Sequence, residues 1–322
     1  MTGVRCQERC KKDFDRRQRA AGLRVLDFLT QPVTMAQPMT RIAQLLLLTS
    51  IVLVPSPGFA QLADGPVVYG HHHLNVTNID AHKKFWADTL GGTVARIGTD
   101  NREVVRIPGV WIFLRMQTPT AGSKGSTADH IAFSVPNLQA TLDKVKANGF
   151  RVATAQESPA SYNVEGEIAH PGPGTSLGFV FGPDDVKVEL IETKDQTEPV
   201  KLHHIHFMGD QNSAMRDWYV KTFGATAAGG GPNAAFLTAN LPGVRLNFSP
   251  VMTAPAPTTG RAYDHIGFEV KNLADLLAKL EAQGIKPAQP LRHNDVLNIN
   301  LAFVTDPWGT SIELTEGLSN LR

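Results

Sequence analysis

The sequence predicts a mixed α+β fold built from four similar units, each a strand, then a helix, then further strands. Three observations support this class: four short apolar strands carry histidine, two helix patterns each occur twice, and the composition suits a large core. Of the 322 residues, 42% are hydrophobic and 19% are charged, which is typical of a folded chain rather than a disordered one. The length allows one large domain or two ordinary ones.

The histidine-led strands are the first repeated element. They read VVYGHHHLNV, ADHIAFSV, VKLHHIHFMG and YDHIGFEV, in that order along the chain. Alternate residues of a strand share a side, so Ile131, Phe133 and Val135 face one side and His130 faces the other. The histidine therefore points away from the hydrophobic packing side, as a group that lines a cleft must.

Two helix patterns form the second repeated element. In the first, both copies place Asn at the N-cap, Leu at helical spacing and Gly at the end. The cap residues of this pattern are Asn137, Gly149, Asn272 and Gly284. In the second, the segments from Ala81 and from Ala214 repeat apolar residues at the spacing of an amphipathic helix, before a closing Gly.

These repeats divide the chain into two halves of two units each. Units one and two are expected to span residues 67–193, and units three and four residues 201–317. A polar linker at 194–200 separates the halves, and runs rich in Pro, Gly and Thr join the units within each half.

The first 60 residues are expected to be absent from the mature protein. From Met39, one Arg precedes an apolar run at 42–54, and small residues then lead to a cleavage position after Ala60, the pattern of a secretory signal peptide. A transmembrane anchor is the alternative, but the run is short for the roughly 20 residues that a span needs. Residues 1–38 are interpreted as a start codon assigned too early, and the expected location is periplasmic or secreted.

The charge and the cysteines limit the classes of partner. The chain has 31 basic and 30 acidic residues, so no field of one sign attracts nucleic acid or an anionic membrane. We expect a small-molecule substrate, no nucleic acid and no stable membrane association after cleavage, with homodimerisation left open. Both cysteines, Cys6 and Cys10, precede the cleavage position, so the mature chain would have neither a disulfide nor a thiolate metal site.

Each half also ends in an apolar strand that contains a carboxylate. Glu189 lies in VKVELIET and Glu313 in TSIELTEG, and a buried carboxylate needs a partner such as a divalent cation. Combining each carboxylate with histidines of its own half gives two sets, His73, His130 and Glu189, then His204, His265 and Glu313. Two imidazoles and one carboxylate suit Fe(II), and also Mn(II) or Zn(II). A lone histidine at a strand edge is usually a surface residue, but the pattern occurs twice.

These segments resemble the vicinal oxygen chelate (VOC) superfamily, which includes glyoxalase I, extradiol dioxygenases and fosfomycin-resistance proteins. The resemblance runs from Val67 to Gly317 and is most specific in DHIAFSV…NLQATLDKVKANGF and DPWGTSIEL. It implies four βαβββ modules forming two tandem domains, with metal ligands on the first strand of each module and the last strand of each pair. Those positions are the six residues of the two sets. His73 is the expected ligand within HHH because His73-Leu74 matches His204-Ile205, and His72 is the alternative.

The resemblance also identifies departures from relatives. Glyoxalase I has a fourth ligand where this chain has Phe113 and Asn247, which indicates a three-ligand site in the first half. Extradiol dioxygenases have a catalytic Tyr where this chain has Phe179 and Phe303. Their acid–base His corresponds to His170 and His293, which are therefore candidate general bases, or else polar loop residues.

Three classes of function remain open from the sequence. The first is a metal-dependent enzyme of glyoxalase type that performs lyase or isomerase chemistry on a small oxygenated substrate. The second is a non-haem Fe(II) dioxygenase of extradiol type. The third is a non-catalytic ligand-binding protein, which the two sets of metal ligands disfavour. The first is preferred because neither half keeps the phenol that assists ring cleavage.

Overall fold

The computed structural model describes residues 64–230 and 236–321. The predictions for the first 60 residues, including the signal peptide, therefore lie outside the described part of the chain. Within the described ranges, no helix has the length and apolar character needed to cross a membrane.

Four βαβββ modules follow one another along the chain, as predicted. Module 1 contains β1 (Val67–Val76), α1 (Ile79–Lys83) continued by a π-helical segment (Lys84–Thr89), β2 (Thr93–Ile97), β3 (Arg102–Ile107) and β4 (Val110–Met116). Module 2 contains β5 (Ala128–Val135), α2 (Leu138–Ala147), β6 (Arg151–Val152), β7 (Asn163–Glu165), β8 (Ile168–Gly172), β9 (Thr175–Phe181) and β10 (Lys187–Glu192), with 3-10 turns at Ala155–Glu157 and Pro183–Asp185. The mixed α+β class is confirmed, and module 2 carries the additional short strands β6 and β7.

Modules 3 and 4 repeat the same order of elements. Module 3 contains β11 (Lys201–Gly209), α3 (Asn212–Phe223), β12 (Thr226–Ala228), β13 (Leu237–Leu241) and β14 (Val244–Pro250). Module 4 contains β15 (Tyr263–Val270), α4 (Leu273–Ala282), β16 (Gln289–Asn294), β17 (Ile299–Thr305) and β18 (Ser311–Glu316), followed by a 3-10 turn at Leu318–Asn320.

Helix ends follow the predicted capping residues. The side chain of Asn137 accepts the backbone N–H of Ala140 at the start of α2, and Asn272 accepts that of Asp275 at the start of α4. This satisfies one of the four N–H groups that a helix leaves without an internal partner. Gly149 lies two residues beyond the last helical residue of α2, at φ 87°, a conformation that glycine adopts without strain.

Strand pairing joins modules from opposite halves of the chain. One sheet has the order β16-β17-β18-β15-β1-β4-β3-β2 and combines modules 4 and 1. The other has the order β12-β13-β14-β11-β5-β10-β9-β8-β7, with β6 beside β9, and combines modules 3 and 2. At the centre of each sheet two first strands run antiparallel, β1 beside β15 and β5 beside β11. Each of these also pairs in parallel with the last strand of its own module.

The expectation that each site would be built within one half is therefore wrong. A strand presents two hydrogen-bonding edges, and its local sequence does not specify which distant strand occupies the second edge. The connection between modules 1 and 2 and the connection between modules 3 and 4 help to determine this strand pairing, because they hydrogen-bond to each other. The N–H of Thr120 donates to the carbonyl of Gly260 at 2.8 Å, and that of Thr127 donates to Ala256 at 2.9 Å.

One hydrophobic core spans all four modules. Consecutive modules contact each other through helix-to-strand packing: the ring of Trp86 lies 5.8 Å from that of Phe133 on β5, and Phe223 of α3 lies 4.9 Å from Phe268 on β15. Two kinds of contact therefore join the modules: strand pairing between distant modules and aromatic packing between adjacent ones. In each central strand pair, one face packs against this core and the opposite face carries the histidines of the clusters.

Candidate functional site

Two clusters of imidazole and carboxylate groups lie at the centres of the two sheets. Site A comprises His71, His73, His265 and Glu313, and site B comprises His130, Glu189, His204 and His206. In each cluster the candidate ligand atoms all lie within 4.8 Å of one another. Each cluster draws two histidines from one first strand, one histidine from the paired first strand, and its carboxylate from a last strand.

All six predicted metal ligands lie in these clusters, but they are grouped differently from the two predicted sets. Site A takes His73 from the first half and joins it to His265 and Glu313 from the second. Site B joins His130 and Glu189 of the first half to His204 of the second. This mixing of ligands from the two halves follows from the strand pairing, because modules 1 and 4 share one sheet and modules 2 and 3 share the other.

Two further histidines, His71 and His206, were missed because the register was read two residues off. His73 lies opposite His265 across β1 and β15, and His206 lies opposite His130 across β11 and β5. His73 therefore corresponds to His206 rather than to His204. The sequence did contain a usable indication, since the offset that places Ala81 on Ala214 also places His71 on His204.

His72 belongs to the core rather than to a site. Its side chain faces the side opposite His71 and His73, as strand alternation requires. Nδ1 of His72 lies 2.6 Å from the hydroxyl of Tyr263, and its ring packs edge-on against Phe133. Burial lowers the pKa of His72 well below its usual value, so the ring is neutral. The alternative of His72 as a ligand is wrong.

In site A, donor atoms converge around one carboxylate oxygen. Oε2 of Glu313 lies 2.9 Å from Nε2 of His71 and 2.9 Å from Nε2 of His265. Nδ1 of His265 lies 2.6 Å from Oδ1 of Asp264, and a carboxylate can only accept there. If the His265 ring is neutral, its Nε2 lone pair faces a carboxylate oxygen, so a proton or a metal ion must lie between them. Burial lowers the pKa of His265, but the hydrogen bonds to Asp264 and Glu313 raise it overall.

Site B has the same arrangement on the other sheet. Nδ1 of His130 lies 2.7 Å from Oδ1 of Asp129, and its Nε2 lies 3.0 Å from Oε2 of Glu189. Nε2 of His204 lies 3.2 Å from the same oxygen. Nε2 of His206 pairs with the hydroxyl of Ser249 at 2.7 Å, which leaves Nδ1 of His206 towards the cluster.

The electrostatics favour a cation between these groups. Burial alone raises the pKa of Glu313, but the imidazoles of His265 and His71 outweigh it and hold that pKa well below its usual range. Burial likewise opposes ionisation of Glu189, and its neighbouring histidines, His204 first, hold its pKa well below its usual range. Burial lowers the pKa of His206, which keeps that ring in the neutral form that binds metals.

The residues present fit a divalent cation. Three neutral imidazoles and one carboxylate are a donor set for Fe(II), Mn(II) or Zn(II). Asp264 and Asp129 each accept from the far nitrogen of a candidate ligand, the support that metal-binding histidines usually have. Nδ1 of His71 is buried without a hydrogen-bond partner among the described residues. We therefore read both clusters as candidate metal centres with four protein donors each, not three.

Each cluster opens into a cavity. The cavity at site A has a volume of about 190 Å³ and includes Arg102, Arg115 and Arg292 in its lining. The cavity at site B is larger, at about 330 Å³, and includes Tyr162, Arg245 and Asn247. None of the lining residues outside the clusters was among the predicted site residues.

The two candidate general bases do not line these cavities. Nδ1 of His170 lies 3.3 Å from the hydroxyl of Ser176. His293 is exposed on β16, with Nδ1 2.9 Å from Oδ1 of Asn300. Its neighbours Arg292 and Asn294 line the cavity of site A instead, because alternate residues of a strand face opposite sides.

The phenylalanines that replace functional residues of the relatives do border the clusters. Phe179 packs edge-on against His130 with ring centroids 5.4 Å apart, and Phe303 packs against His265 at 5.0 Å. Phe113 stacks on His73. These rings supply no donor atom, so they shield the clusters from water and hold the imidazoles in place.

A glycine beside site A yields a first testable prediction. Gly267 lies opposite His71 across the strand pair, and a Cβ built on Gly267 would overlap the imidazole of His71. Gly267→Ala should therefore displace that ring and weaken metal binding at site A by at least about tenfold, with site B unchanged. Calorimetric titration with Zn(II) measures both affinities. Gly172→Ala, where a Cβ meets open space, is the control, and two equal tight sites in Gly267→Ala would contradict the prediction.

The fold is shared with solved structures at low sequence identity. Glyoxalase I from Zea mays is 16% identical, with a TM-score of 0.59 over 79% of this chain and 94% of that chain. A protein from Bacillus subtilis, provisionally assigned as a dioxygenase, is 13% identical, with a TM-score of 0.56 over 77% of this chain and 84% of that chain. At such identities the likeness shows the fold alone.

Sequence comparison shows the family. No curated protein matches the chain. The model of the Glyoxalase/Bleomycin resistance protein/Dioxygenase superfamily matches it twice, at residues 68–190 and 201–314. Those two matches together cover most of the chain and confirm the resemblance drawn from the histidine-led strands. The chain belongs to the glyoxalase/bleomycin resistance protein/dioxygenase (VOC) superfamily, with two copies of the family domain in tandem.

Proposed function

We propose that the chain is a divalent-metal-dependent enzyme that performs glyoxalase-like Lewis-acid chemistry, of lyase or isomerase type, on a small oxygenated substrate. The observation that carries this proposal is the presence of two buried sets of three imidazoles and one carboxylate. Bound there, a divalent cation would supply Lewis-acid polarisation of substrate oxygens, which is worth several kcal/mol of barrier. Members of the family act on small molecules, and each cluster opens into a cavity of that scale.

The protein groups around the cation have distinct tasks in this proposal. Asp129 and Asp264 fix the orientation of His130 and His265 by accepting from their Nδ1 atoms. Tyr162 lines cavity B, and burial together with Glu189 raises the pKa of its phenol. Tyr162 therefore stays protonated and can donate a hydrogen bond to a substrate oxygen. The proposal assigns no proton transfer to His170 or His293, which do not line either cavity.

The test is metal loading followed by turnover assays. Purified mature protein is reconstituted separately with Fe(II), Mn(II) and Zn(II), and elemental analysis should find two ions per chain. A panel of small substrates with adjacent oxygen atoms is then assayed with and without O₂. Turnover that persists without O₂ under Mn(II) or Zn(II) supports the proposal. No bound metal, or binding of ligands with no turnover under any metal, contradicts it and favours a binding protein.

One observation favours oxygen-dependent ring cleavage as the second candidate. Although Phe179 and Phe303 replace the family phenol, Tyr162 brings another phenol into cavity B. In that case the Fe(II)-loaded protein consumes O₂ with catechols, and Tyr162→Phe lowers the rate by about 10²-fold or more. An oxygen electrode separates this candidate from the first.

The proposed location is the periplasm or the exterior of the cell. It rests on the pattern of residues 39–60, which resembles a cleaved secretory signal peptide. N-terminal sequencing of the protein from its native host tests this, with Gln61 as the expected first residue. A product that retains residues 1–38 would contradict it.

A further inference from the structure

The two sites differ at two positions that the fold makes equivalent. In site B, Arg245 and Asn247 on β14 lie opposite His204 and His206 of β11. In site A, the corresponding residues on β4 are Trp111 and Phe113, which lie opposite His71 and His73. The same two positions are thus apolar beside one cluster and strongly polar beside the other.

The polar pair in site B has hydrogen-bonding capacity that the protein does not use. Asn247 is 1% exposed, and its Oδ1 has no hydrogen-bond partner among the described residues. Nε of Arg245 is buried and also lacks a partner. Leaving a buried polar group unpaired is destabilising, and both residues line the cavity. A ligand in cavity B would satisfy them.

The charge of Arg245 identifies the class of that ligand. No carboxylate of the described residues forms an ion pair with it, and burial lowers its pKa against the opposing effect of Glu189. Glu192, the other acidic residue of the lining, accepts the backbone N–H of Leu138 instead. A planar guanidinium with free N–H groups matches the geometry of a carboxylate, which it can bind through two parallel hydrogen bonds.

We propose that site B recognises a small carboxylic acid with an oxygen on the adjacent carbon, such as an α-hydroxy acid. This inference rests on the proposed function, because the metal centre orients the substrate. Arg245 binds the carboxylate, and the unpaired Oδ1 of Asn247 accepts a hydrogen bond from the hydroxyl on the adjacent carbon. Site A has Trp111 and Phe113 at these two positions and so lacks this pair of groups, although Arg292 lines its cavity.

The test compares two probes that differ only in the carboxylate. Mandelate carries a carboxylate beside its hydroxyl, whereas 1-phenylethane-1,2-diol keeps the ring and two adjacent oxygens without the charge. Calorimetry on the Mn(II)-loaded full chain should find one mandelate per chain, bound at least about tenfold more tightly than the diol. Arg245→Gln should weaken mandelate binding by about 10- to 100-fold, the range expected for a charged hydrogen-bond pair. It should leave diol affinity and the metal content unchanged.

Two variants sharpen the result. Arg245→Lys keeps the charge but loses the planar fork, so mandelate affinity should fall between those of wild type and Arg245→Gln. Arg292→Gln removes an arginine from cavity A and should leave mandelate binding unchanged. The inference is overturned if the wild type binds the two probes with equal affinity, or if Arg292→Gln loses mandelate binding. In either case, two bound metal ions per chain would leave the proposed function intact. Absence of metal in the wild type overturns the proposed function instead.

Discussion

A chain that carries Glu189→Ala should bind one divalent cation instead of two, and a chain that also carries Glu313→Ala should bind none. Each glutamate is the only carboxylate in its cluster. Its removal leaves three imidazoles as the remaining donors and takes away the one negative charge among the donors that balances the cation. Because the Lewis-acid stabilisation of several kcal/mol is lost with the metal, turnover at the affected site should fall by at least about 10³-fold, at 1.36 kcal/mol for each factor of ten.

Elemental analysis after dialysis measures the metal content. Glu165→Ala, an exposed carboxylate on β7, is the control and should retain two ions. His265→Ala combined with Glu313→Ala should retain one ion, because both residues belong to site A. Two ions in the Glu189→Ala, Glu313→Ala double variant would show that the clusters are not the metal centres.

Phe133→Ala should lower the free energy of unfolding by about 3–5 kcal/mol, the range for aromatic truncation in a core. Phe133 is fully buried, and its ring lies against Trp86 of module 1 and His72 of β1. Truncation removes packing between modules as well as within one, and the surrounding strands cannot collapse into the space without disturbing their pairing.

Urea denaturation of the metal-free protein measures this effect without the stabilisation that bound ions add. Met252→Ala, whose side chain is fully exposed, should change the free energy of unfolding by less than about 0.5 kcal/mol. A loss below about 1 kcal/mol in Phe133→Ala would mean that the aromatic contact between modules contributes little.

Local patterns were sufficient to predict the modules and the chemical character of the sites. Asn137 and Asn272 cap helices as predicted, because N-capping depends only on the residues of the first turn. His130 faces the cluster while Ile131 and Phe133 face the core, because strand alternation is a local property. The buried strands around Glu189 and Glu313 likewise indicated a positive partner for each carboxylate.

The grouping of the ligands could not be predicted in the same way. Whether His73 meets His130 or His265 depends on which distant strand lies beside β1, and that is decided by packing across nearly 200 residues of chain. Register was a second source of error, since His71 and His73 share one face and alternation alone cannot separate them. The side taken by His293 was also open, because β16 has no clear apolar alternation from which to read it.

We expect each sheet to hold one metal ion, bound by modules from both halves of the chain. Anomalous diffraction from crystals of the Mn(II)-loaded protein should then show two peaks per chain, one bounded by His71, His73, His265 and Glu313, the other by His130, Glu189, His204 and His206. A peak that joins His73 to Glu189, or no peak at either cluster, would contradict it.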